Sequence, residues 1–150
     1  MKKLALLIFL LSISNFLQAE EIKLSCDIKF ISRNIPSGET NEFTKKLIYE
    51  ITERQDGTIF LLSHSYGFAP SVSTEKTAGN ISIDNYSNES KWHIRNVFNS
   101  KLNSSSDNEV IIDRNTGLIH ISKTFTTKLG LLETSGDGYC EKVNLTKKKF

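Results

Sequence analysis

The chain has 150 residues, of which 38% are hydrophobic and 24% charged, with two Cys, two Pro and eight Gly. These proportions exclude a disordered chain, a collagen-like repeat and a scaffold dense in disulfides, and they fit one ordinary globular domain. Basic residues number 19 and acidic residues 17, so the position of the small basic excess decides its meaning.

The excess lies at the start. Lys2 and Lys3 precede an unbroken apolar run from Leu4 to Leu11, which Ser12, Ser14 and Asn15 dilute before Gln18 and Ala19. A positive flank, a short apolar stretch and a small residue before the cut are the pattern of a secretory signal peptide over residues 1–19. The apolar stretch ends at Leu17, short of the roughly 20 residues that span a bilayer, so no transmembrane anchor is expected. Lys23 stands three residues before Cys26, where a bacterial lipid-attachment signal needs an apolar side chain, so Cys26 is expected to stay unlipidated. A periplasmic or secreted location follows, with residues 20–150 as a single β domain.

Without Lys2 and Lys3, basic and acidic residues are equal in number over 20–150. Nucleic-acid binding thereby loses its electrostatic support, because phosphate recognition rests on clustered positive charge. Lys147, Lys148 and Lys149 are the one basic cluster, and three lysines at a terminus read as a solvated tail or, in the alternative, as a weak contact to anionic lipid or polymer.

Export places Cys26 and Cys140 where disulfides form and persist, and two is the smallest number that can pair within one chain. The expected Cys26–Cys140 bridge closes a loop of 114 residues, which on chain-entropy grounds stabilises by roughly 4 to 5 kcal/mol. It would tie the first strand to the last. A redox-active pair would need the C-x-x-C spacing that this chain lacks.

The dominant hydrophobic period is two. Ile22, Leu24, Cys26, Ile28 and Phe30 alternate with Lys23, Ser25, Asp27 and Lys29, the signature of a strand with one wet face. Residues 32–41 lack strand pattern. In 39–53, Phe43, Leu47 and Ile51 recur every four residues, as on a helix with Thr40 near its cap. Thr44, Ile48, Tyr49, Ile51 and Thr52 favour a strand instead, and a strand leads directly into the turn at Gln55-Asp56-Gly57 and its return through Ile59 to Leu62.

Residues 65–79 also lack strand pattern, yet they carry Tyr66, Phe68 and Val72 beside Gly67 and Pro70. These apolar side chains either fold back as a lid on one end of the core or form a contact loop for a partner or ligand. Ile81 and Ile83 mark a short strand, and Trp92, Ile94 and Phe98 a longer one beyond Tyr86-Ser87-Asn88-Glu89. Residues 99–108, with Ser104-Ser105-Ser106-Asp107-Asn108, read as a polar loop. Val110, Ile111 and Ile112 enter a second hairpin at Asp113-Arg114-Asn115-Thr116-Gly117 and return through Leu118 to Ile121. A last strand is expected from Gly138 through Cys140 to Leu145. The sum is an all-β fold: a single antiparallel meander of about eight strands, closed as a small barrel or left as a strongly curved sheet, stapled by one disulfide.

Little in this pattern carries catalytic chemistry. His64, His93 and His120 fall on three different strands, with no His-Glu-x-x-His, paired Cys or Gly-x-Ser-x-Gly motif. No metal and no cofactor is expected. Glu50 and Glu53 flank Ile51, and Asp113 sits where an Asp caps a turn, so no pair of carboxylates is singled out for glycoside hydrolysis. Asn-x-Ser/Thr triplets begin at Asn80, Asn85, Asn88, Asn103 and Asn144, in a chain whose Asn and Ser content produces them by composition.

Ile112-Asp113-Arg114-Asn115-Thr116-Gly117, Gly138-Tyr139-Cys140-Glu141-Lys142, the early Cys26 and the terminal Phe150 together resemble a group of small exported bacterial proteins of unassigned function. That resemblance implies the fold and the disulfide and brings no catalytic residue. Ser135-Gly136-Asp137-Gly138-Tyr139 is similar, with one residue more, to the Ser-Gly-x-x-Tyr loop of periplasmic lysozyme inhibitors, which implies an inhibitory role as an alternative. The leading expectation is a soluble exported β-domain that binds without catalysis or interacts with the cell envelope. Its partner would be a protein, a glycan or a small apolar ligand; a small hydrolase of envelope polymer is the enzymatic alternative.

Overall fold

In the computed structural model the described residues are 20–64, 69–75, 81–100 and 104–143. They form nine strands: β1 (Glu20–Asn34), β2 (Glu39–Glu53), β3 (Ile59–Ser63), β4 (Val72–Ser73), β5 (Ile81–Asn85), β6 (Lys91–Asn99), β7 (Ser105–Asp113), β8 (Leu118–Thr127) and β9 (Gly130–Lys142). All ladders are antiparallel and the order across the sheet is β4-β3-β2-β1-β9-β8-β7-β6-β5. The expected all-β meander forms, with the two-residue β4 as a ninth strand. Each strand pairs with the next in sequence except at one seam, between β4 and β5, and the ladder that joins the two halves is β1 on β9. No helix among the described residues is long and apolar enough to cross a membrane.

Cys26 and Cys140 form the disulfide. They lie directly opposite in the β1–β9 register, with Cα atoms 3.9 Å apart. The Cys140 N–H donates to the Gly117 carbonyl (2.8 Å) on the other side of β9, so the cysteines occupy a non-hydrogen-bonded pair. Antiparallel backbones approach most closely there, which brings the two side chains within bonding reach. The bridge thus reinforces the ladder that joins the ends of the meander.

The sheet curls until its edges meet through side chains. Asn96 of β6 accepts from the Ser73 N–H (2.8 Å) and donates through Nδ2 to the Ser73 carbonyl (2.8 Å). Its amide stands where a neighbouring strand would, so the seam is spanned from β4 to β6 and the barrel is nearly closed. Inside, alternate residues of β1, of the second half of β2 and of β6 to β8 form one apolar core, with Phe30, Tyr49, Ile94 and Ile121 fully enclosed. The helical spacing in β2 is resolved by Tyr49. Phe43, Leu47 and Ile51 are all an even number of residues apart and share a strand face, whereas a helix would turn Tyr49 away; Tyr49 is buried beside them and donates its hydroxyl to the Pro70 carbonyl (3.0 Å).

Two expectations are corrected. The last strand begins at Gly130, eight residues earlier than the apolar pattern places it. Its core-facing positions are Thr134, Gly136, Gly138 and Cys140, small residues that leave no hydrophobic period. A Cβ on Gly136 would stand 2.7 Å from the Phe30 ring, and one on Gly138 only 2.1 Å from the Asp27 carbonyl oxygen, so β1 fills the space that β9 vacates. Second, Ser105 to Asn108 are not loop but the first half of β7, laddered to β6 and β8. Arg95 Nε binds Asp107 Oδ1 at 2.8 Å across that ladder. A polar strand forms here because its neighbours supply every backbone partner.

Candidate functional site

One end of the barrel is capped. Trp92 reaches across the core mouth to donate its indole N–H to Glu53, and the Arg114 guanidinium binds the same carboxylate while lying 4.2 Å from the Trp92 ring centroid. Arg114 is aimed by its own turn. Asp113 Oδ1 accepts from the N–H groups of Asn115 (2.9 Å) and Thr116 (2.7 Å), as an Asx turn requires, and the Arg114 N–H donates to the Ser90 carbonyl (2.8 Å). The Thr116 N–H, then its hydroxyl, then the Asn115 N–H hold the Asp113 carboxyl below its ordinary 3.8. Beside this cap is a shallow cavity of about 380 Å³ whose lining includes Leu24, Trp92, Arg114, Tyr139 and Glu141. Glu53 and Asp113 are both engaged in holding the cap together.

The remaining sequence candidates are dispersed over the outer surface. Each histidine meets one carboxylate: His64 with Glu50 (3.0 Å), His93 with Glu109 (2.8 Å) and His120 with Asp137 (2.7 Å). Glu50 also binds Lys23, and the Lys23 ammonium, then His64, holds its carboxyl below the ordinary 4.5. Glu50 and Glu53 are three residues apart on one strand and so face opposite sides of the sheet, which separates the pair that flanks Ile51. No group of three His, Cys, Asp or Glu side chains among the described residues is placed to hold a metal ion. Asn85 and Asn88 accept backbone N–H bonds from Ser87 and Ser90, so turn chemistry accounts for these two triplets.

At the other end, among the described residues, the core-facing side changes character in register across the strands. Beyond the last buried row, Asn96, Asn108, Lys123, Thr134, Ser32 and Asn41 stand side by side on β6, β7, β8, β9, β1 and β2. This polar belt separates the core from a second apolar row one rung further out. Ile81, Phe98, Phe125 and Leu132 lie on β5, β6, β8 and β9 in one register line, with Ser106 of β7 between the two phenylalanines. All four share the face of the buried core residues, yet they are 38% to 43% exposed. Next to this row, the β8–β9 turn carries Leu129, which is 92% exposed, and the Ile35 N–H ties the β1–β2 turn to the Leu131 carbonyl (2.9 Å).

Of the residues expected on a contact loop, Val72 is 3% exposed and pairs with Leu61 in the core, which leaves it no surface to offer. Tyr66 and Phe68 lie outside the described residues. Ser135 to Tyr139, which the inhibitor resemblance would make a loop, are laddered on both sides within β9. The apolar row was hidden in the sequence because its members come from four strands and only the register aligns them. No protein-family model, curated protein or solved structure matches the chain.

Proposed function

We propose that the chain is an exported, non-catalytic binding domain whose open end takes a small apolar or amphiphilic ligand. The observation that carries this reading is the row Ile81, Phe98, Phe125 and Leu132, apolar and on the core-facing side yet 38% to 43% exposed. Exposed apolar surface cut off from the core by a polar belt adds little to folding and marks a contact surface, and a shallow cavity of about 220 Å³ lined by Asn34, Phe125, Leu129 and Leu132 adjoins one end of the row. The disulfide agrees with an oxidising compartment, as does the pattern of residues 1–19.

Titration with N-phenyl-1-naphthylamine, whose emission rises in apolar surroundings, tests the reading. Saturable binding of one probe per folded chain is expected at neutral pH. The double variant Phe98→Ser/Phe125→Ser should weaken it at least tenfold, with a melting temperature within about 4 °C of the parent because these side chains lie outside the core. Absence of saturable binding, or equal binding by the double variant, would overturn the proposal.

A further inference from the structure

We infer that the cavity at the capped end is a second binding site, and that its ligand is an uncharged sugar unit of a glycan, stacked on Tyr139 and hydrogen-bonded to Glu141 and to the Lys142 backbone. The two sites lie at opposite ends of the barrel, and each can fail without the other.

The cavity arises from unequal strand lengths. β8 begins at Leu118, opposite Tyr139, whereas β9 runs on to Lys142. The Cys140 N–H points away from β1 and reaches the Gly117 carbonyl (2.8 Å). The Lys142 N–H points the same way, because donors alternate along a strand, but no β8 residue stands opposite it. The space is lined by the turn at 113–117 and by residues 139–142, and its volume of about 380 Å³ is at the lower end for small-ligand sites, the extent of one or two sugar rings. Tyr139 supplies a flat wall. Its ring is 50% exposed and is seated on the turn glycine: a Cβ on Gly117 would stand 3.1 Å from its Cε2.

The lining selects the ligand. Arg114 is matched by Glu53 and Asp113 by the N–H groups of its turn. Among the described residues, the side chains of Asn115, Tyr139, Glu141 and Lys142 are engaged in no hydrogen bond or ion pair. An apolar ligand would bury these groups unpaired, which is costly. An ion would meet its own sign at Glu141 or at Lys142. A zwitterion would satisfy those two charges and leave the Asn115 amide, the Tyr139 hydroxyl and the Lys142 N–H unpaired. Sugar hydroxyls both donate and accept, so they match every one of these groups, and the C–H face of the ring covers the tyrosine. Tyr139 and Glu141 share the outer side of β9 about 6.6 Å apart, near enough for one ring to touch both.

Titration of isotopically labelled protein with maltotriose, cellotriose and triacetylchitotriose, followed by amide shifts, tests the inference. At least one should saturate with a Kd below about 1 mM, with its largest shifts at Gly117, Lys142 and the Asn115 side-chain amide. Chitotriose and trigalacturonate, a cationic and an anionic trisaccharide, should bind at least tenfold more weakly than that sugar. Tyr139→Ala and, separately, the exposed Glu141→Ala should each weaken it at least tenfold, while Tyr139→Phe, which keeps the stacking face, should stay within about threefold. Phe98→Ser/Phe125→Ser at the opposite end should leave it unchanged. Absence of shifts with all three neutral sugars at about 10 mM would overturn the inference, as would full affinity in both alanine variants. Tighter binding of glycylglycine at the same amides would assign the cavity to a peptide and overturn it too.

Discussion

At Gly117 the backbone takes φ 75°, and a Cβ there would stand 2.3 Å from the Cys140 carbonyl oxygen. Gly57 has φ 80° in the other tight hairpin, with nothing within 4 Å of such a Cβ. Gly57→Ala should therefore cost about 1 kcal/mol, for conformation alone, whereas Gly117→Ala should cost more than about 2 kcal/mol because a clash is added to the strain. Urea denaturation of the two variants measures the difference; equal losses would mean that the turn relaxes around the new methyl. Asp113 supplies a pH test. Its carboxyl is depressed by the Thr116 and Asn115 donors, and Asp56, Glu42 and Glu50 are lowered by their own partners. A carboxyl lowered in the fold contributes stability that is full above its unfolded value and is lost as pH falls through the folded value. Thermal melts should thus be insensitive to these groups above about pH 5 and decline as pH falls below the ordinary values of 4.5 and 3.8. Asp113→Asn keeps the acceptor and removes the titration, so its decline below pH 3.8 should be shallower; parallel curves would contradict this role.

At the scale of elements, β9 is the strand whose composition hides it. Gly138→Ala drives a methyl against β1 backbone, while Gly136→Ala meets the Phe30 and Ile28 side chains, which can shift. Loss of stability should be larger at Gly138, by about 1 kcal/mol or more, and amide exchange should quicken along both β1 and β9. Preserved exchange on β1 would show that the close approach is not needed. The elements that were legible in the sequence are those whose wet and dry faces differ. In β1, Leu24, Cys26, Ile28 and Phe30 are all buried, and the turns at Gly57 and Gly117 are announced by the glycine each requires. Where the core-facing side is itself polar or glycine, as in β9 and in Ser105 to Asn108 of β7, period two leaves no trace. The first half of β2, from Glu39 to Lys46, lies beyond the described part of its β3 ladder and carries Glu42, Lys45 and Lys46.

For the whole molecule, the decisive contact is the one between chain ends. The disulfide spans 114 residues and sits in the single ladder that converts two half-meanders into one sheet. Removing it with Cys26→Ala/Cys140→Ala should lower stability by a few kcal/mol, read as a shift of the denaturation midpoint at unchanged slope. A shift of less than about 1 kcal/mol would mean that the β1–β9 ladder holds without it. The pairing was legible from two cysteines and a signal-like start. The seam at β4 and β5, and with it the open end, was not, because it depends on where the sheet stops curling and not on any local motif.

The claim that this open end is a binding face is tested most directly by locating a bound ligand. With N-phenyl-1-naphthylamine bound to isotopically labelled protein, intermolecular NOEs from its ring protons should reach Ile81, Phe98, Phe125 and Leu132 and be absent at Trp92 and Tyr139. NOEs confined to Trp92, Tyr139 and the capped-end cavity would contradict the assignment of the site.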